Sequence, residues 1–154
     1  MKKLRSLYCI AILIATPCVM SQQGLGKQLA QDAMALVGYL ELSNIGSRDV
    51  DCKGTPFDVT NVNSVIDVEI RPALVKLATF ENKSQNDINE MVSMIKMVPL
   101  SSKDGKSVLQ TTYEKLKQDN FATYGRQGGC ASLSSSFRTV VQQRKLSIKN
   151  FLSK

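Results

Sequence analysis

Between residues 25 and 42 the chain sets Leu25, Leu29, Ala33, Leu36 and Leu40 at alternating steps of four and three. On a helix with about 3.6 residues per turn this spacing lines them up in one stripe, so the segment has an apolar face to bury. The pattern returns at Val62, Val65, Ile66, Leu74, Leu77 and Ala78, and again at Ile88, Met91, Val92, Ile95 and Val98. Two more runs follow, Val108, Leu109, Thr112, Tyr113 and Leu116, then Leu133, Phe137, Val140, Val141, Ile148 and Phe151. Segments that each carry a single apolar stripe bury it by packing helix on helix. The run Val59 to Ile70 is rich in β-branched residues, but its apolar positions do not alternate cleanly and it has no partner strand. The expectation is an all-α fold, a compact bundle of four or five helices.

Turn-forming residues place the boundaries. Asn44, Gly46, Ser47, Gly54 and Pro56 end the first helix and open a loop that holds Cys52. Pro72 lacks an amide hydrogen, so a kink or a fresh helix start is expected there. Ser84 and Asp87 have the spacing of a capping box, and Pro99 stops the helix that follows. In that helix Met94 and Met97 widen the apolar arc beyond the stripe. A helix so broadly apolar is either the central member of the bundle or half exposed at an interface, and the central place is the simpler expectation. Asp104 or Ser107 opens the next helix, which ends near Asn120. The segment Gly125 to Gly129 reads as a loop delivering Cys130 to the start of a last helix, about 132–152.

Ahead of these helices lie Lys2, Lys3 and Arg5, an apolar run from Leu7 to Leu13, and small residues before Ser21. Basic start, short apolar stretch and small-residue end are the three parts of an export signal. Residues 1–21 are therefore expected to be cleaved before Gln22, leaving 22–154 as a single helical domain, periplasmic or secreted. Thr16 and Pro17 interrupt the apolar run, which makes a membrane-spanning anchor the poorer reading. Lipidation at Cys18 is a minority reading, since Pro17 fits such a processing site badly. Removing the leader takes Cys9 and Cys18 with it and leaves Cys52 and Cys130, which an oxidising compartment is expected to join as a disulfide. A zinc site is not expected from two thiols in a chain without histidine.

The leader also takes three of the 20 basic residues and none of the 13 acidic ones, so the net charge falls from +7 to +4. What remains is lopsided: 22–100 holds seven basic and ten acidic residues, 101–154 ten basic and three acidic. Either the two halves neutralise each other on folding, or the basic tail presents a surface to an acidic protein or an anionic membrane. On the last helix Arg138, Lys145 and Lys149 form a basic stripe beside the apolar one, and with Met94 and Met97 they are the candidate partner surface. Nucleic acid is not expected, because the protein is exported and no aromatic residues interleave the stripe. Arg144 falls in the middle of the apolar face. Its head either extends to water along its stem, the simpler expectation, or meets a carboxylate, with Asp67 and Glu69 as candidates for a buried ion pair.

No catalytic or cofactor motif emerges, and the lack of histidine removes the usual general base. The run Asp49, Asp51, Lys53, Gly54 fails as a calcium loop, with a lysine at a ligand position and Thr60 where a bidentate glutamate belongs. No metal or cofactor is expected. The reading that follows is a small exported, non-enzymatic binding protein acting through a protein partner. In size, leader and disulfide its layout is similar to that of small periplasmic immunity proteins and other exported helical inhibitors. Self-association stays open. So do a helical carrier of an apolar ligand or lipid, lined by Met91, Met94 and Met97, and an enzyme using Asp49, Asp51 or Asp67. The carrier needs an apolar cavity and the enzyme needs carboxylates converging in a cleft.

Overall fold

Helix α1, Leu25–Arg48, is buried over far more of its surface than one stripe, with Leu29, Ala33, Leu36, Val37, Tyr39, Leu40 and Leu42 all inside. The computed structural model describes residues 25–100, 102–103 and 106–153. The expected leader, its cleavage before Gln22, Cys18, Asp104 and the side chain of Leu25 lie outside the described residues.

A loop follows α1. It contains a short 3-10 turn, Val50–Cys52, whose start is capped by the Asp49 carboxylate accepting from the Asp51 amide at 2.9 Å. From 55 to 61 the chain has neither helix nor strand. Asn61 then caps α2, Val62–Val65, accepting from the Ser64 amide at 3.2 Å. The chain widens into a π-turn, Ile66–Ile70, before α3, Arg71–Phe80, with Pro72 in its first turn. The proline needs no amide bond in a first turn, so the π-turn gives the fresh start that Pro72 demands without breaking the rod.

Asn82, the one non-glycine residue at positive φ among the described residues, turns the chain toward α4, Gln85–Met97. The capping box forms as expected: the Asp87 amide donates to Ser84 Oγ at 3.3 Å and the Ser84 amide donates to Asp87 Oδ2 at 2.7 Å. Ile88, Met91, Val92 and Ile95 are buried, but Met94 and Met97 are exposed, Met97 to 57%. The central member of the bundle is α1 and not this helix. Its apolar arc is wider than the face it buries, because α4 lies against α3, the π-turn and the end of α1 on one side only.

A 3-10 turn, Val98–Leu100, and a two-residue antiparallel ladder, Ser102–Lys103 with Lys106–Ser107, lead to the last element. Helix α5, Val108–Ser153, is broken at Gly125, where φ is 70° and ψ 174°. Tyr113 and Phe137 are 24 positions apart, which is ~36 Å on a straight helix, yet their ring centroids lie 6.4 Å from each other. The chain therefore folds back on itself at one residue, and the expected loop over 125–129 shrinks to Gly125. Residues 126–131 are already helical. A Cβ on Gly129 would sit 2.6 Å from Phe121 Cδ1 and 3.0 Å from the Asn120 carbonyl carbon, so the glycine serves close approach of the two arms.

The fold is thus all-α and compact: among the described residues α1, the continuous α2–π-turn–α3 segment, α4 and α5 make four helical elements with the last doubled back, and Cys52 is bonded to Cys130 across a Cα separation of 5.4 Å. The Phe137 ring sits at the core centre, 5.8 Å from Tyr39 and 6.2 Å from Phe57. No helix among the described residues is long and apolar enough to cross a membrane.

Candidate functional site

The loop 49–61 is the one long irregular segment that the bundle holds at many points. Cys52 ties it to the second arm of α5. Further along, Pro56 O accepts from Ser134 Oγ at 2.6 Å and from Arg138 Nη2 at 3.0 Å, while Arg138 Nε donates to Asp58 at 3.0 Å. Phe57 drops into the core over Gly46, where a Cβ would lie 2.6 Å from its ring. Asn44 completes the clamp: its Nδ2 donates to Thr60 O at 3.0 Å and its Oδ1 accepts from the Thr60 amide at 3.1 Å.

At the loop's first turn lies Lys117, which is buried. Its ammonium meets Asp49 at 2.8 Å, Glu114 at 2.9 Å and Asp51 at 3.3 Å. Burial opposes charge on Lys117, but the hydrogen bonds it donates to these carboxylates outweigh it and lift the pKa above the usual lysine range. Burial likewise works against the Asp49 carboxylate. The Lys117 ammonium, the Asp51 amide and the Tyr113 hydroxyl overcome it and hold the pKa below the carboxylate range. Burial and the Asp49 carboxylate push the Tyr113 hydroxyl upward. Carboxylates do converge here, as the enzyme reading requires, but on a lysine ammonium that holds the Asp49 carboxylate in its charged form. A general acid or base works best with a pKa near the operating pH, and Asp49 on one side and Lys117 and Tyr113 on the other are driven away from it.

The charge asymmetry is largely absorbed inside the fold. Asp49, Asp51 and Asp58 of the loop face Lys117, Arg126 and Arg138 of α5, and Glu69 takes Lys145 at 2.6 Å. Two members of the expected basic surface, Arg138 and Lys145, are therefore occupied. Lys149 has no such partner among the described residues. Met94 and Met97 are exposed on α4, while the basic residues belong to α5.

Arg144 is paired, but neither Asp67 nor Glu69 is its partner. Its Nη1 lies 2.7 Å from Asp32, which is 1% exposed and also accepts from Ser147 Oγ at 2.5 Å and Gln28 Nε2 at 3.1 Å. Neighbours on a helix point about 100° apart. Lys145 thus reaches Glu69 on the π-turn while Arg144 faces the first half of α1, and Asp67 is left to Arg71 at 3.3 Å and Lys96 at 3.5 Å. The Arg144 side chain is 34% exposed, yet its Nε is buried and meets no hydrogen-bond acceptor among the described residues, so the ion pair and not snorkelling defines its place. Asp32 falls beside Leu29 and Leu36 on the apolar stripe of α1, and Lys117 beside Tyr113 and Leu116 on that of α5. A charge inside a stripe was the available signal for both, and it was read only for Arg144.

Two open clefts flank the loop. The smaller, about 360 Å³, is lined by Ile45, Arg48, Asp49, Val50, Gln110, Tyr113 and Glu114. The larger, about 770 Å³, runs between α1, the segment 59–63 and the turn after α4, with Val59, Thr60, Val62, Pro99 and Leu100 among its walls. Val50, Val59 and Leu100 stand exposed at their edges, by 85%, 72% and 70%. Neither cleft is an enclosed apolar chamber of the kind a lipid carrier needs. Among the described residues no cluster of three or more cysteine, aspartate and glutamate side chains is placed to hold a metal. No protein-family model, curated protein or solved structure matches the chain.

Proposed function

We propose that the protein is a small exported, non-enzymatic binding protein that engages a protein partner through the face formed by the stapled loop and its two clefts. The observation that carries this reading is the set of exposed apolar side chains, Val50, Val59 and Leu100, around open clefts on a loop fixed to the bundle at several points. Apolar side chains held on a rigid surface bind with little ordering cost. Binding residues sit disproportionately on loops that a scaffold positions. The locked carboxylates around Lys117 support a structural role for the acidic cluster rather than proton transfer. The disulfide and the absence of a spanning helix among the described residues are compatible with export. An inhibitor or immunity-type role is the finer form of the same reading.

The test is site-specific photocrosslinking in the organism that encodes the chain, with the crosslinker at Val59 or Leu100 and a control at Thr139 on the exposed side of α5. A discrete crosslinked protein at the first two positions, absent from the control, is expected. Identical patterns at all three positions would refute the assignment of this face.

A further inference from the structure

Of the five arginines among the described residues, four are matched to carboxylates: Arg71 with Asp67, Arg126 with Asp51, Arg138 with Asp58 and Arg144 with Asp32. Arg48 is the exception, its side chain making no hydrogen bond or ion pair to any described residue. It stands on the ridge that both clefts share. Its place in the last turn of α1 suits the helix dipole, but that uses only its charge and leaves the guanidinium fork open. Glu41 lines the larger cleft on the same helix and meets no cation among the described residues, only the Asn44 amide at 3.5 Å. Seven residues make about two turns, so the two side chains leave the same face of α1 roughly 10 Å apart. Between them on α1 the cleft is lined by Asn44 and Ser47, the apolar side chains Val59, Val62, Pro99 and Leu100 line it beyond that helix, and Val59 offers a peptide N–H and C=O that bond to no described residue.

We infer that the larger cleft receives an extended segment of the partner protein carrying a carboxylate, gripped by Arg48, and a cation, held by Glu41, on either side of apolar side chains. This rests on the protein-binding reading above and names what that partner presents. A span of about 10 Å is three residues of extended chain. Side chains of an extended chain alternate, so the even spacing nearest this span puts an acidic and a basic residue four positions apart on one face, and the segment's backbone is free to pair with Val59 as an added strand. The other charges on this face do not compete for it, because Lys117 holds Asp49 and Glu114 and Asp67 holds Lys96.

The test is selection of random twelve-residue peptides displayed on phage against the oxidised protein, followed by titration of the synthetic consensus peptide. Enriched sequences should place an acidic and a basic residue around apolar ones. R48E and E41K should each weaken binding about tenfold or more at unchanged melting temperature. The double variant E41R/R48E should recover affinity for the peptide with its two charges exchanged. No enrichment, enriched peptides without the charge pair, or affinity indifferent to R48E would overturn the inference. Photocrosslinking at Val59 reads the protein-binding role without any peptide, so it separates failure of this inference from failure of that reading.

Discussion

Replacing Lys117 by methionine keeps most of the buried stem and removes the ammonium, which isolates what the charge does for the loop. Asp49 bears the main loss, since its side chain is only 8% exposed and Lys117 is its sole ionic partner among the described residues. Removing one member of a buried pair typically costs ~3–5 kcal/mol. Asp51 and Glu114, at 35% and 43% exposure, add little, as surface pairs contribute ~0–1 kcal/mol each. The sum is about 3–5 kcal/mol near pH 7 with the two surface pairs taken at the low end of their range, or a fall in Tm of roughly 10–15 °C for a domain of this size.

The pH dependence gives the sharper reading. In the native protein the folded pKa of Asp49 lies below its ordinary 3.8, so its contribution is full above that value and lost as pH falls through the folded pKa. In Lys117→Met, burial and two neighbouring carboxylates remain while the ammonium is gone, so the Asp49 pKa rises above its unfolded value. The penalty is then present at neutral pH and relieved on acidification. The gap in Tm between the two proteins, followed by circular dichroism at 222 nm on oxidised samples, should be widest at pH 7.5 and narrow markedly by pH 4. A gap under about 3 °C at neutral pH, or one that is the same at both pH values, would refute the reasoning.

Replacing both cysteines, Cys52→Ala with Cys130→Ala, should lower the unfolding free energy by about 4 kcal/mol, the chain-entropy value for a loop closed over a separation of 78 residues; denaturant titration checks it. Arg144→Ala leaves the Asp32 carboxylate buried with only neutral donors and should cost about 3 kcal/mol, the lower end of the buried-pair range because the Arg144 side chain is about a third exposed. Arg144→Lys should recover part of that. Gly129→Ala forces a Cβ against the backbone of the facing arm and should lower Tm by several degrees, whereas Gly128→Ala meets only Tyr124 Cβ at 3.2 Å and should cost clearly less.

The features legible in the sequence are those set by spacing within one segment. The stripes from Leu29 to Leu40 and from Ile88 to Ile95, the Ser84–Asp87 box and the restart at Pro72 need no knowledge of the neighbouring helix. The disulfide pairs the two cysteines that remain once Cys9 and Cys18 of the expected leader are set aside. What failed depends on which faces meet. Three glycines in five residues look like a loop, yet only Gly125 takes a positive φ, and Gly129 is used to let two helices touch. Residue type alone cannot distinguish a glycine kept for its backbone freedom from one kept for its missing Cβ. The same holds for Arg138 and Lys145: their stripe was visible, but Asp58 and Glu69 reach them only once the loop and the π-turn are folded against α5.

Those cross-links bear on why the loop is held so firmly. Entropic stapling of a bundle this size is largely achieved by the disulfide alone, and the exposed Arg138–Asp58 pair adds little to stability. Yet Asn44, Ser134, Arg138 and Lys117 all converge on residues 49–60: Asn44 holds the Thr60 peptide, Ser134 and Arg138 share Pro56 O, Arg138 also takes Asp58, and Lys117 takes Asp49. Their common effect is positional: Val50 and Val59 are held out at the cleft edges, and the unpaired peptide of Val59 stays in a chain that has no helix or strand. A loop ordered before binding spares the partner the cost of ordering it, about 0.5–1.5 kcal/mol for each immobilised side chain. If that is what the clamps provide, loosening one at a distance from the clefts should weaken the partner more than it weakens the fold. Ser134→Ala is the suitable perturbation. It removes one donor to Pro56 O while Arg138 remains, so Tm should move by little and affinity at the clefts should drop severalfold. An affinity that merely tracks Tm would assign the clamps to stability alone.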